Sequence, residues 1–150
     1  MKTLKQQLHQ LCIEKLDASM ASAQQAIDEA RAAQKEETKS SAGDKFETTR
    51  EMMTQEIEKG TALLSKLAED RNRLLSILQN DSSESVQQGS MVITNLGKFY
   101  VGVSIGAVTM NGEKYQTISS FSPIGQLMIS KKAGEKFELH EKEYVIKEIA

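Results

Sequence analysis

The chain has 150 residues, of which 39% are hydrophobic and 27% are charged, and its formal net charge is −2. This near-neutral balance argues against a free nucleic-acid binder, because such a protein needs a basic surface to neutralise phosphates. A single cysteine, Cys12, excludes a disulfide within the chain and a cysteine-rich zinc site, and His9 and His140 lie too far apart in sequence to form a metal-ligand pair.

Membrane and secretion signals are also missing from the pattern. No apolar run approaches the roughly 18 residues that a transmembrane helix needs, and residues 1–17 lack the continuous apolar core of a signal peptide. We therefore expect no membrane association and a cytoplasmic location.

The composition changes near residue 80. Residues 1–80 contain no proline and two glycines, whereas residues 91–150 contain six glycines, the one proline and all three tyrosines. The polar, aperiodic stretch 81–90 is typical of a linker. The sequence therefore predicts an α+β protein with a helical unit at 1–80, a linker at 81–90 and a β-rich unit at 91–150.

Two long amphipathic helices are predicted in the first unit. Apolar residues recur every three or four positions over 3–38 and again over 45–79, and the second series follows heptad steps. The segment between them has turn chemistry, and Asp44 and Glu47 can form a capping box at the second helix. Helices of nearly equal length joined by a short turn predict an antiparallel coiled-coil hairpin with its tip at about 38–45.

The β-rich unit contains five recognisable strands. They are predicted at 91–96, 99–105, 115–118, 137–139 and 144–149. Asn111-Gly112 is a strong two-residue hairpin signal. Ser122 and Pro123 are typical of the start of a short helix, predicted at 123–129. Together these elements predict a small antiparallel sheet wrapped on one helix.

The chain carries no recognisable catalytic motif. It has no phosphate-binding glycine loop and no zinc-protease or serine-hydrolase signature, so we do not expect an enzyme. Cys12 has apolar neighbours, which favours a packing role over a reactive thiol, although His9 lies within one helical turn of it.

Charged side chains are concentrated at the predicted hairpin tip. Clustered carboxylates there can share a divalent cation such as Mg²⁺. The alternative is structural, since acidic residues at a helix start serve its orphan N–H groups and its dipole, and nearby lysines neutralise the field. The candidate tip residues are Glu36, Glu37, Lys39, Asp44, Lys45 and Glu47.

The order of parts resembles the Gre family, the bacterial transcript cleavage factors of RNA polymerase. The similarity is most specific over Ile118–Glu135, where S-P-I-G opens the short helix and K-K-A-G-E follows it, and the ending Tyr144–Ile149 is similar to the family's closing strand. In architecture the resemblance covers the whole chain, and in sequence it is specific from about residue 115 onward. It implies an FKBP-like fold for the C-terminal unit.

The resemblance also implies a mechanism. Gre factors dock their C-terminal domain at the rim of the polymerase's secondary channel, and their acidic hairpin tip helps hold a second Mg²⁺ while the polymerase itself cuts backtracked RNA. For this chain it implies RNA polymerase as the partner, no independent nucleic-acid binding and a monomer. It implies docking through Ser122, Pro123, Lys131 and Lys132.

The tip departs from the family pattern. Placing Phe46 on the family's tip tyrosine puts Lys39, Ala42 and Lys45 on the three acidic positions, and Asp44 lies one residue away. Asp44 is therefore the candidate metal-holding residue, with the Mg²⁺ shared with the polymerase. The alternatives are a channel competitor that does not stimulate cleavage, a coiled-coil homo-oligomeric adaptor with no polymerase role, and a prolyl isomerase on the FKBP-like fold.

Overall fold

The computed structural model describes residues 3–40, 44–77 and 84–150, and within these ranges it is an α+β protein, which confirms the predicted class. No helix in the described ranges is long and apolar enough to cross a membrane. The helices are α1 (Leu4–Ser40), α2 (Asp44–Ser76) and α3 (Pro123–Met128). The strands are β1 (Met91–Thr94), β2 (Gly97–Gly102), β3 (Ala107–Met110), β4 (Glu113–Ser119), β5 (Lys136–Leu139) and β6 (Lys142–Ile149).

The chain divides into two compact units. One unit, here called the sheet unit, combines Met1–Lys15 with Asn72–Ala150, and the other, the helical unit, is Leu16–Arg71. Each long helix therefore contributes residues to both units. Of the predicted tip at 38–45, residues 41–43 lie outside the described ranges.

The six strands form one sheet in the order β3-β4-β2-β1-β6-β5. Neighbouring strands are antiparallel except β2 and β4, which are parallel with Val101 opposite Ile118. The expectation of a wholly antiparallel sheet is wrong at this pair. The reason lies in the chain path: after β2 the chain first forms the edge strand β3, and β4 then returns between β3 and β2.

Local hydrogen bonds explain where the strand limits differ from the prediction. β1 ends at Thr94, whose hydroxyl donates to the Gly97 carbonyl at 2.8 Å and accepts from the Leu96 N–H at 3.1 Å, which closes the turn. β2 ends at Gly102 rather than 105, because the Ile105 N–H bonds to the Thr117 hydroxyl at 2.9 Å instead of continuing the ladder.

Two of the tight turns between neighbouring strands have positive φ at both central residues. Asn111 and Gly112 between β3 and β4 have φ values of 53° and 77°, and His140 and Glu141 between β5 and β6 have 52° and 64°. Positive φ at both central residues is what a type I′ hairpin turn requires. The hairpin predicted at Asn111-Gly112 is therefore confirmed.

Strand β2 is buried on both faces. Phe99 and Val101 point into a core that α3 covers. On the opposite face, a side chain added at Gly102 would lie 3.1 Å from the Ile77 Cδ1 atom and 3.9 Å from the Tyr100 ring, so glycine allows a close approach there. The core cluster consists of Val86, Val92, Phe99, Val101, Ile118, Met128, Phe137 and Ile146.

Val86, in the stretch that the composition marks as a linker, belongs to this core. Val86 is 1% exposed. Its N–H donates to the Lys131 carbonyl at 2.8 Å and its carbonyl accepts from the Ser130 N–H at 2.8 Å. Residues 81–83 of the predicted linker lie outside the described ranges.

In the helical unit, α1 and α2 contact each other along their length. The Arg71 Nε atom donates to the Asp17 Oδ1 atom at 2.6 Å. A Cβ atom added at Gly60 would lie 2.6 Å from the Ile27 Cγ1 atom, and Gln34 donates to the Thr54 hydroxyl at 2.8 Å.

Helix α3 is held at its start as the sequence predicts. Ser122 is its N-cap and accepts from the Gly125 N–H at 3.1 Å, with Pro123 in the first turn. Gly125 lies against the end of β4, where an added Cβ atom would clash with the Ser119 carbonyl oxygen.

We expect Gly125→Ala to destabilise the protein by about 3 kcal/mol, the upper end of overpacking costs, because the obstacle is backbone and cannot move aside. Urea unfolding measures the change. Leu127→Ala, at a partly exposed position of the same helix, is the control and should cost clearly less. An equal loss in the two variants would contradict the close approach of α3 to β4.

Candidate functional site

The predicted tip residues divide into two groups. Glu36 near the end of α1 and Glu47 in the first turn of α2 have exposed side chains. The side chains outside the described part of the structure are those of Glu37, Lys39, Asp44 and Lys45. Among the described residues no three His, Cys, Asp or Glu side chains are grouped so as to hold a metal ion. The metal role of Asp44 stays a prediction.

The predicted docking residues serve the fold to different degrees. The Ser122 hydroxyl donates to the Ser119 carbonyl at 2.6 Å as well as capping α3, so it is used within the sheet unit. Lys131 is half-buried and its carbonyl anchors Val86. Pro123 and Lys132 are exposed. A partner can therefore reach Pro123 and the Lys132 ammonium most directly.

The most exposed large apolar side chain of the described residues lies beside them. Phe121, in the loop between β4 and α3, is 73% exposed. Its backbone is held on both sides, since its N–H donates to the Ser119 hydroxyl at 3.1 Å and its carbonyl accepts from the Gln126 amide at 2.9 Å. An aromatic ring on an immobilised backbone loses little entropy on binding, which is typical of a binding anchor.

The Phe121 ring borders a surface groove of about 580 Å³. A second groove of about 590 Å³ lies beside it, and Gln87 and Gln88 line both grooves. The Gln88 side-chain amide donates to the Ser120 hydroxyl at 2.5 Å, which fixes one of the side chains that both grooves share. We call the surface formed by Phe121, Arg73, Gln87 and Gln88 the Phe121 surface. Its aromatic, guanidinium and amide groups are those enriched in protein-binding sites.

The sequence does not single out Phe121 as exposed. Four other aromatic residues of the sheet unit, Phe99, Tyr100, Tyr115 and Phe137, are buried, and Phe121 is not. A local signal for this exposure was available. Phe121 comes directly before the predicted N-cap Ser122, so its side chain belongs neither to the predicted strand nor to the predicted short helix.

Cys12 and His9 occupy different environments. Cys12 is fully buried, and this burial raises the pKa of its thiol to about 12, with Lys15 opposing the shift only in part. A thiol in this state is a poor nucleophile at neutral pH, which fits the packing role. The His9 ring instead bonds to the sheet, with its Nδ1 atom 2.7 Å from the Tyr100 hydroxyl, and burial lowers the pKa of His9.

Comparison with known proteins finds no matching protein-family model and no matching curated protein. The resemblance to the Gre family therefore depends on the residues quoted above and on the arrangement of the elements.

Proposed function

We propose that this chain is a Gre-like regulator of transcription elongation that binds bacterial RNA polymerase and inserts its paired helices into the secondary channel. The observation that carries the proposal has two parts. The two long helices contact each other, and the small sheet unit presents an exposed aromatic residue on a fixed backbone. A factor that reaches an active site through a channel needs both a narrow arm and a separate docking surface.

The contacts between α1 and α2 support an antiparallel hairpin. Asp17 meets Arg71, Ile27 meets Gly60 and Gln34 meets Thr54, so positions rise along α1 as they fall along α2. Residues 17–40 of α1 rise by about 36 Å, and two adjacent helices are roughly 20 Å wide. Such dimensions suit a channel-entering arm.

Two polar or small positions within the apolar stripe of α2 favour this pairing. Arg71 and Gly60 interrupt the heptad series, and each meets a specific partner in α1 rather than a generic apolar contact. A charged group in such a seam specifies register. Asp17 and Arg71 are both partly exposed, so their ion pair contributes alignment more than stability.

The sheet unit is the proposed docking module. An FKBP-like identity is supported by a six-stranded sheet with α3 packed on one face. The Phe121 surface, with Pro123 and Lys132 nearby in sequence, supplies the contact: the ring fills a hydrophobic depression on the partner, and the cation meets acidic residues at the rim.

The tip decides which activity follows docking. Transcript cleavage needs a carboxylate that supports the second Mg²⁺ at the polymerase active centre, and Asp44 is the residue nearest the family's acidic positions. The protein itself would hold no cofactor, because the metal is shared with the polymerase. If Asp44 does not reach the metal, the arm competes for the channel without stimulating cleavage.

We expect the protein to shorten transcripts in backtracked elongation complexes and Asp44→Ala to lower the rate by roughly 10- to 100-fold, the usual loss when support of a metal site is removed. Transcript length on sequencing gels measures the effect. Glu51→Ala, an exposed carboxylate one turn beyond Glu47 on the same helix, is the matched control and should retain activity.

Absence of cleavage together with protection of the complex from a known cleavage factor would identify a channel competitor instead. Absence of both effects would contradict the polymerase proposal.

We expect Phe121→Ser to weaken binding to core RNA polymerase by about 2 kcal/mol, roughly 30-fold in Kd, because a central aromatic anchor is lost. Fluorescence anisotropy of the labelled protein measures Kd. Leu96→Ser, at another exposed apolar position of the sheet unit that is 49% exposed, should bind as the wild type does. Equal weakening by both variants would exclude a specific role for Phe121.

A coiled-coil homo-oligomeric adaptor is the second candidate. Met52 and Leu63 on α2 are exposed apolar side chains that a second copy of the chain could cover. Multi-angle light scattering distinguishes the two candidates, because the polymerase proposal predicts a monomer. A dimer that dissociates when Met52 and Leu63 are changed to Glu would favour the adaptor.

A further inference from the structure

A side-chain hydrogen bond with a titratable partner, His9, joins the first turns of α1 to strand β2. The His9 Nδ1 atom lies 2.7 Å from the Tyr100 hydroxyl, and the two rings meet edge to face with their centroids 6.1 Å apart. Tyr100 is completely buried and His9 is half-buried. Both residues belong to the sheet unit.

Two further attachments that the structure describes for this segment do not titrate in mild acid. Leu8 and Cys12 are fully buried and hold the segment by apolar packing. One turn further on, the Lys15 ammonium donates to the Ala107 carbonyl at 2.7 Å. A lysine ammonium keeps its charge below neutral pH, so this bond persists when His9 takes up a proton.

Protonation of His9 adds a positive charge and, for one tautomer, reverses the direction of its bond. When the neutral ring carries its proton on Nε2, Nδ1 accepts from the Tyr100 O–H group, whereas in the imidazolium both ring nitrogens carry protons and Nδ1 donates to the hydroxyl oxygen. The positive charge also forms in a half-buried position, which desolvation disfavours. Tyr100 is the titratable group that faces His9 from β2, and on α1 itself Lys5 and Cys12 lie one turn to either side.

We propose that the His9–Tyr100 contact is an acid-sensitive latch, through which mild acid releases the first turns of α1, about Leu4 to Cys12, from the sheet while Lys15 keeps its bond. The proposal is independent of the polymerase function.

The direction of the pH dependence follows from burial. Burial lowers the pKa of the docked His9 below its ordinary value of 6.5, so the released segment binds the proton more tightly than the docked one. Docking is fully stable above pH 6.5 and weakens as the pH falls from there toward the lowered pKa. Because one proton is involved, the equilibrium changes by at most about tenfold per pH unit.

Cys12, the only cysteine of the chain, is a native probe of this release. While the segment is docked the thiol is fully buried, and release exposes it. We expect the rate of labelling by 4,4′-dithiodipyridine, which still reacts in mild acid, to rise severalfold from pH 7.5 to pH 5.5. The rate at each pH is divided by that of the urea-unfolded protein, and far-UV circular dichroism should stay constant.

His9→Gln keeps an acceptor for the Tyr100 hydroxyl but cannot ionise, so its normalised labelling should not depend on pH. His140→Gln removes the chain's other histidine, which is exposed in a turn, and should behave as the wild type. A pH-independent wild type, an identical response in His9→Gln, or a parallel loss of ellipticity would each overturn the latch.

Tyr100→Phe provides a second variant if His9→Gln does not fold. Loss of the hydroxyl alone should raise labelling at pH 7.5, because the hydrogen bond that holds His9 against β2 is lost. Labelling equal to the wild type at both pH values would also overturn the proposal.

Discussion

The fold of the sheet unit depends on the burial of strand β2 on both faces. Phe99 and Val101 enter the core beneath α3, and Tyr100 and Gly102 point to the other side. A small sheet with one short helix covers only one face, so the second face needs another cover. The ends of the two long helices supply it, with His9 against Tyr100 and Ile77 near Gly102. This requirement explains why residues 1–15 and 72–77 belong to the sheet unit rather than to a separate helical domain.

Elements determined by local chemistry could be predicted from the sequence. Heptad steps predict the two helices, Asn111-Gly112 predicts its hairpin turn, and Ser122 with Pro123 predicts the start of α3. Strand β3 and the parallel pairing of β2 with β4 could not be predicted. Ala107–Met110 is a four-residue edge strand with little periodicity, and parallel pairing depends on where the chain returns in the sheet. The same holds for Val86, an apolar residue in a polar stretch that joins the core cluster and bonds through its backbone to Ser130 and Lys131.

In the candidate site, too, some features could be predicted from the sequence and others depend on tertiary structure. The sequence pointed to Ser122 and Lys131, but the fold uses the Ser122 hydroxyl and the Lys131 carbonyl for its own hydrogen bonds. Exposure of Phe121 is a tertiary property, because hydrophobic character alone predicts burial. The contact of His9 with Tyr100 joins residues 91 positions apart, and no local pattern encodes it. At the tip, by contrast, only the order of charges along the chain is informative, so the role of Asp44 rests on sequence.

Strand β2 also separates the proposed His9–Tyr100 latch from the Phe121 surface within the sheet unit. The latch uses Tyr100 on one face, whereas Phe121 is positioned by Ser119 and Gln126, next to the helix that covers the opposite face. Release of the first turns of α1 would remove cover from Tyr100 and leave the core beneath α3 intact, since Phe99, Val101 and Met128 pack without His9. Docking through the Phe121 surface should therefore survive mild acid that opens the latch. Acid would then act on the attachment of α1 to the sheet and leave recognition of the partner unchanged.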